Sequence, residues 1–536
     1  MRIYLNILIL LMILSPPIRQ SQAVIRPQKP FGGTFKWGVY HKPTIINPIL
    51  TTQSISMALL DLIFNRLVRI NSEGEIEPDL AESWDISTDG LIYTFHLRKG
   101  VRFHDGKECT AQDVKFTYDK IIDPGVNSPF KEGFQLVREF RVIDKYTLEI
   151  ILKEPSTSFL YRLVREIAPQ HLLEKEDLRN TPFNFHPIGT GPFKFKEWTK
   201  DDQIILEYNA DYYEGRPYLD KILVKTYDNS EDAWSALMQG EVDCVQFIEE
   251  KDYEVVKNDP AFKAYAVPTD YYYALVYNLN DPILTDKRVR EAIAYSVDRK
   301  GLIDKIAGGY GIECSGPFYP DSLGFNPEVK AFEYNPKKAQ GLLSEAGWQD
   351  MDNDGILEKE NKELELKVLV DARNEIYAKI IMLLRQQLQE VGIKIKVQLY
   401  NDDSDLTKDF IENNGSQAHL KFMRASNPDA ILEDWSVKES QRVGKLWIYS
   451  NKKVDKLLAL GEVAQDRAKR EVIYKNIHQL IYKDQPGCFL YFPFVFHAVS
   501  ARFKNTDAYF NINMPTYAIK DFFIENMQTS AQKEGR

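Results

Sequence analysis

Residues 364–399 constrain the fold more than any other stretch. "LELKVLV" alternates, with Leu364, Leu366, Val368 and Val370 on one side. That is the period of a strand. "EIYAKIIMLLRQQLQEV" follows, and helical spacing puts Ile376, Ile380, Leu383 or Leu384, Leu388 and Val391 on one face, with Gly392 closing the turn. "IKIKVQL" then alternates again. Strand, helix and strand at this spacing predict a parallel pair joined by a right-handed crossover, and so an α/β fold. Ligands of such sheets bind beyond the carboxyl ends of the strands. The next strand is expected at "AHLKFM" (418–423), so the loop "RASNPDAILEDW" (424–435) is expected to face a cleft.

A chain of 536 residues exceeds what one core usually serves, so two or more lobes are expected. Met1-Arg2, the apolar run "IYLNILILLMIL" (3–14) and Ser21-Gln22-Ala23 have the order of a secretory signal, with cleavage expected after Ala23. No cysteine lies near that point, so a lipid anchor is not expected. The mature protein is expected to be exported and soluble. Losing Arg2 and Arg19 takes the net charge from −10 to −12. So acidic a chain is a poor partner for nucleic acid. Cys109, Cys244, Cys314 and Cys488 are dispersed and form no CxxC pair, which argues against zinc and redox motifs. Buried thiols and disulfides both stay open.

Two stretches look chemical at first sight. "GVRFHDGKECTAQDVKF" (100–116) gathers a histidine, two aspartates and a cysteine. Asp105-Gly106 is turn chemistry, and Thr110 with Asp113 forms a capping box for the helix that follows. A structural turn is the expectation. In "DMDNDGILEKE" (350–360), Asp350, Asp352, Asp354 and Gly355 match the first half of an EF-hand loop, but the twelfth position is Asn361 rather than Glu. A turn without metal is expected. The chain has no GxSxG, HExxH, Walker A or GxGxxG motif. Neither catalysis nor a cofactor is expected.

Several blocks carry a family resemblance. "EPDLAESWDISTDGLIYTFHLRKGVRFHDGKECTAQDVKFTYDKI", "PIGTGPFKFKEW", "LNDPILTDKRVREAIAYSVDRKGLID" and "NPKKAQGLLSEAGW" occur in order between about Gly33 and Phe523. Together they resemble the extracellular solute-binding proteins of family 5, the periplasmic peptide- and nickel-binding group that serves ABC importers. The resemblance implies a two-lobed periplasmic binding protein fold of type II with an extra subdomain, its lobes joined by two hinge strands. It implies a signal peptide at 1–23, a first lobe from 24–67, 188–277 and 496–536, an extra subdomain at 68–187, and a second lobe at 278–495. Hinges would lie near Tyr277–Asn280 and Tyr491–Phe496, and the "FHDG" turn would be remote from the ligand.

The implied function is capture of a peptide or peptide-like solute by hinge closure, as a monomer, and delivery to an inner-membrane ABC permease. Peptide-binding members commonly carry an aspartate four residues before the loop's proline, where it meets the ligand's α-ammonium. Counting back from Pro428 gives Arg424. A guanidinium there repels an amine and prefers a carboxylate or phosphate. That leaves a non-peptide solute as the alternative: an anionic small molecule, a metal chelate or a glycan fragment. For a peptide, Asp429 or Asp434 would have to supply the negative charge missing at position 424. The expected ligand-binding set is Arg424, Ser426, Asn427, Asp429, Tyr271, Tyr272, Tyr273, Trp435, Trp447, Tyr40 and His41. Alternation sends Tyr272 away from its two neighbours, so at least one of the three belongs to the core.

Overall fold

The strand–helix–strand unit forms as its periodicity demands. Strands Glu365–Asp371 and Lys394–Tyr400 run parallel, with Leu366 opposite Ile395 and Val368 opposite Val397. The helix between them, Glu375–Gln389, starts where the Asn374 side chain accepts from the N–H groups of Ile376 and Tyr377. It buries Tyr377, Ile380, Ile381, Leu384 and Leu388. The buried stripe therefore turns slightly from the expected one, with Tyr377 inside in place of Ile376. The computed structural model describes residues 31–71, 74–320, 322–412, 416–425, 435, 449–511 and 515–524.

Two large sheets organise the described residues. The first runs in the order Phe262–Pro268, Tyr491–Ser500, Cys244–Ile248, Thr34–Val39, Lys221–Thr226, Gln203–Tyr208, Phe193–Trp198, with Gly311–Glu313 added beside the start of Tyr491–Ser500. The second runs Lys394–Tyr400, Glu365–Asp371, Ala418–Arg424, Tyr271–Tyr277, Gly487–Phe489. A third, antiparallel sheet joins Ala81–Ile86, Ile92–Leu97, Thr147–Leu152 and Val137–Asp144 and shares one apolar core with the first. The second sheet is covered on both faces. Tyr273, Leu275 and Tyr277 enter one core cluster, while Tyr272, Ala274 and Val276 enter another.

Residues 271–277 read in sequence as the end of the first lobe. They belong instead to the second sheet, paired along their whole length with Ala418–Arg424. The chain passes between the sheets at Thr269–Asp270, and again at Leu490, between Gly487–Phe489 and Tyr491–Ser500. The reason is burial on both faces, which makes "YYYALVYNL" a continuous apolar run with no mark of which sheet it joins.

The "FHDG" turn is structural. Asp113 accepts from the Thr110 N–H at 2.9 Å, and the Thr110 side chain accepts from Gln112 in return. His104 is tied to the "GTG" stretch: Gly189 N–H donates to its Nδ1, and its Nε2 lies 3.1 Å from the Gly191 carbonyl. Burial pushes the His104 imidazole down to about 4, so it stays neutral. Gly189 and Gly191 are required here, because a Cβ at either would overlap the Ile63 backbone. The four cysteines are buried free thiols, and none is bridged. Among the described residues no helix is long and apolar enough to cross a membrane.

Candidate functional site

In both large sheets a central parallel strand loses one neighbour before its carboxyl end. Ala418–Arg424 is accompanied by Tyr271–Tyr277 throughout, but Glu365–Asp371 pairs with it only at Ala418 and His419. Among the described residues, the stretch from Leu420 to Arg424 therefore has no strand partner on that side. In the first sheet, Thr34–Val39 is accompanied by Lys221–Thr226 throughout, while Cys244–Ile248 pairs with it only at Trp37 and Gly38. Such openings at strand carboxyl ends are where α/β sheets take ligands.

At the second-sheet opening, Tyr271 lies opposite Arg424 and Tyr273 opposite Phe422. Cross-strand partners share a face. The rings form a ladder, with Tyr273 to Phe422 at 4.6 Å and Phe422 to Tyr271 at 5.0 Å between centroids, both stacked. The ladder runs from inside to outside: Tyr273 is buried, whereas Phe422 and Tyr271 are 38% and 37% exposed. Arg424 ends it, and its Nε donates to Asp270 Oδ2 at 2.9 Å. Asp270 and Phe422 escaped sequence reasoning; only the cross-strand register reveals them.

At the first-sheet opening, Tyr40 and His41 follow Thr34–Val39, with their rings 4.7 Å apart. The Tyr40 hydroxyl donates to the Phe247 carbonyl at 3.3 Å. Burial, and then Glu249, pushes its phenol upward. Phe247 sits in a bulge with φ of +55°, a conformation that non-glycine residues rarely hold, and its ring is 46% exposed. Its N–H donates to His497 Nδ1 at 3.4 Å. His497 is fully buried, its Nε2 has no partner among the described residues, and burial pushes its imidazole down to about 3. Phe247 too carried no sequence signal, since a bulge is a property of two strands. Next to His41, an open cavity of 510 Å³ is lined by Lys42, Pro43, Phe185, His186, Trp198 and Asp202, with Lys42 paired to Asp202 at 2.7 Å.

Two expected site residues prove to be core. Tyr272 is wholly buried on the other face of the second sheet, against Phe489 and Phe492. Trp435 is 1% exposed and packs on Tyr449 and Phe489. Both large rings fill the second sheet's covered face instead of lining its open end. Ser426, Asn427, Asp429, Asp434 and Trp447 lie outside the described residues. The structure thus groups Tyr271, Tyr273 and Arg424 at one opening, and Tyr40 with His41 at the other.

The acidic loop also assembles. Carboxylate oxygens of Asp350, Asp352, Asp354 and Glu358 lie within 4.8 Å of one another, so Glu358 stands where the spacing pointed to Asn361. The loop is exposed, and Asp350, Asp352 and Asp354 cap backbone N–H groups of the turn itself.

Finally, the third sheet meets the second sheet's helices. Thr157 donates its N–H to the Glu462 carbonyl at 2.7 Å, and its hydroxyl points at the carbonyls of Glu462 and Gly461. Those carbonyls belong to the last turn of the helix Lys452–Val463, where C=O groups have no partner within the helix. Arg467 pairs with Glu75 beside them.

Residues 75–455 match the family model described as bacterial extracellular solute-binding proteins, family 5 Middle. The chain belongs to this family. The oligopeptide-binding protein AppA of Bacillus subtilis is 31% identical over 480 residues, covering 87% of each chain. Its structure in complex with a nonapeptide is 29% identical, covers 93% of this chain and all of that one, and superposes with a TM-score of 0.71. The ABC transporter-associated periplasmic binding protein DppA of Helicobacter pylori, in complex with the peptide STSA, is 27% identical over 92% of this chain and 99% of its own, with a TM-score of 0.72. A family-5 chain is a solute-binding protein, and this one has the family's two-lobed α/β fold.

Proposed function

We propose that the mature protein binds a peptide in extended form between the two sheets and hands it to an ABC permease in the inner membrane. The observation that carries this reading is the pair of open strand ends. A peptide laid beside Leu420–Arg424 can extend the ladder with main-chain hydrogen bonds, which is how strand addition binds many sequences with one backbone geometry. AppA and DppA, each with a bound peptide, support the same class of solute. The exposed rings of Tyr271 and Phe422 offer apolar faces to ligand side chains or peptide planes.

In this reading the first lobe ends at 268 and resumes at 491, with 68–187 as its subdomain, and the second lobe takes 271–489. The crossings at 269–270 and 490 are the hinge, and the contact of Thr157 with Gly461 and Glu462 is made on closure. The protein acts as a monomer, without catalysis or cofactor, in the periplasm after cleavage at Ala23. Native mass spectrometry of protein purified from the exported fraction tests the solute class. A series of adducts with peptide masses is expected. A single discrete non-peptide adduct would overturn the peptide reading in favour of an anionic molecule, chelate or glycan fragment.

A further inference from the structure

The second-sheet opening has a closed end, and a histidine sits there. Glu365–Asp371 and Ala418–Arg424 stay paired only as far as Leu369 opposite His419, and beyond that pair the two strands part. His419 is 1% exposed, and neither ring nitrogen has a hydrogen-bond partner among the described residues. A buried imidazole without partners is costly for the fold. Its setting is apolar. Val276 lies opposite it on Tyr271–Tyr277, and the Phe410 ring is 5.6 Å away between centroids. Phe410 and Leu406 belong to the helix Asp403–Glu412 and share one core with Leu369 and Val276. The helix packs on Glu365–Asp371 and Lys394–Tyr400. Two charged groups act on the ring. Lys421 is next on the same face of its own strand, and Asp371 ends the neighbouring strand. Arg373 takes up Asp371 through Nε at 2.9 Å and a terminal nitrogen at 2.7 Å. On the helix, Asp405 and Lys408 are exposed, and Asp409 accepts from the Tyr400 hydroxyl at 2.6 Å.

Burial, and then Lys421, pushes the His419 imidazole well below its usual range, while Asp371 acts the other way. We propose that His419 is an acid-sensitive clasp on the bound solute: the helix Asp403–Glu412 lies on the sheet only while the ring is neutral, and proton uptake lifts the helix and frees the closed end of the opening. For what is released, the inference rests on the peptide reading above; the lifting of the helix does not depend on it. A peptide laid beside Leu420–Arg424 begins where the Leu369–His419 pair ends, so loosening that pair loosens its seat. With the helix down, the ring has neither water nor a partner for a second proton. With the helix lifted, it meets water and titrates near its ordinary value of about 6.5. The closed form is therefore fully favoured above about 6.5, and each pH unit below that raises the lifted fraction by up to about tenfold. Between pH 7 and pH 5 the rise is about 25-fold, in a range where ordinary carboxylates stay ionised. The lifted form remains a minority, so the effect falls on the rate of release more than on affinity.

Hydrogen exchange of the mature protein, corrected for the intrinsic effect of pH, reads the lifted fraction at pH 7 and pH 5. Wild type is expected to lose about 25-fold in protection over Asp403–Glu412, with the helix Glu375–Gln389 as the unchanged reference. His419→Leu suits the apolar setting, and His419→Asn keeps a polar side chain; neither titrates, and both are expected to change by less than about threefold. Release is read on the same proteins. Each is loaded with a random pentapeptide pool and chased with an isotope-labelled copy of that pool, and native mass spectrometry follows the exchange. Wild type is expected to release about 25-fold faster at pH 5 than at pH 7, and His419→Leu at most about threefold faster. Protection that stays level in wild type, or falls as far in both variants, would overturn the clasp. Protection that falls as expected while release stays unchanged would overturn its hold on the solute. Failure of wild type to bind the pool at pH 7 would overturn the peptide reading instead, and the exchange measurement would still decide the helix.

Discussion

The Asp270–Arg424 rim pair and a buried ion cluster around Arg66 show different uses of the same chemistry. Arg66 donates through Nε to Glu166 at 2.9 Å and pairs with Asp61 as well, and all three side chains are largely out of water. Here the charges are paired inside the protein, although Glu166 Oε2 takes no hydrogen bond among the described residues. In the Asp270–Arg424 pair the guanidinium is 63% exposed, and its terminal amino groups and Asp270 Oδ1 take no hydrogen bond among the described residues. Charges buried together hold a fold to one arrangement, because each would be costly without the others. Charges left half-paired at an opening cost the fold little and remain available to a ligand. What separates the two is the exposure of the cation, 17% at Arg66 and 63% at Arg424, more than the presence of an ion pair.

The largest effect that would break this comparison concerns Arg66. Arg66→Ala leaves Asp61 and Glu166 buried without their cation. It should destabilise the protein by about 3–5 kcal/mol. Urea unfolding of the mature chain measures it. A loss below about 1 kcal/mol would mean that the cluster is hydrated and that the contrast with the rim is false.

Next in size is a pH effect. Burial pushes the Asp61 carboxyl up to about 6; Arg66 acts downward and Glu166 upward. Glu166 also feels burial acting upward, but Arg66 and Arg165 hold it below its ordinary value. A folded state that keeps the Asp61 proton to higher pH than the unfolded chain binds more protons between about 4 and 6. Asp61's contribution is therefore fully present below about 4 and is lost as pH rises through about 6. Asp61→Asn is neutral throughout and removes this dependence. The stability of wild type relative to the variant should fall by up to about 3 kcal/mol between pH 4 and pH 7. Thermal unfolding across that range checks the sign, and a difference that stays level would show that Asp61 is ionised throughout.

What could be read from sequence, and what could not, follows the same division between local and distant. The 365–400 unit was legible because strand and helix periods are written in neighbouring residues. The turn at His104 was legible for the same reason, through Asp105-Gly106 and the Thr110–Asp113 box. The sheet joined by 271–277 was not, because its partners are 418–424 and 487–489, far along the chain. Alternation separated Tyr272 from Tyr271 and Tyr273 but could not say which face was open, and here the open part is the strand's end rather than either face. Trp435 looked like a ligand aromatic from its loop position and is core, since burial depends on what folds over it. Asp270 was invisible because its meaning comes from Arg424, 154 residues away.

The smallest effect sharpens the comparison most. If the rim pair serves recognition, breaking it should hardly touch the fold. Arg424→Gln removes a cation that is 63% exposed and keeps most of the aliphatic stem over Tyr271. An exposed pair is worth at most about 1 kcal/mol. The expected change in unfolding free energy is within about 0.5 kcal/mol, measured by the same urea titration as Arg66→Ala. A stability loss of several kcal/mol would make Arg424 a structural member of the hinge region, and the two ion clusters would then differ in exposure but not in use.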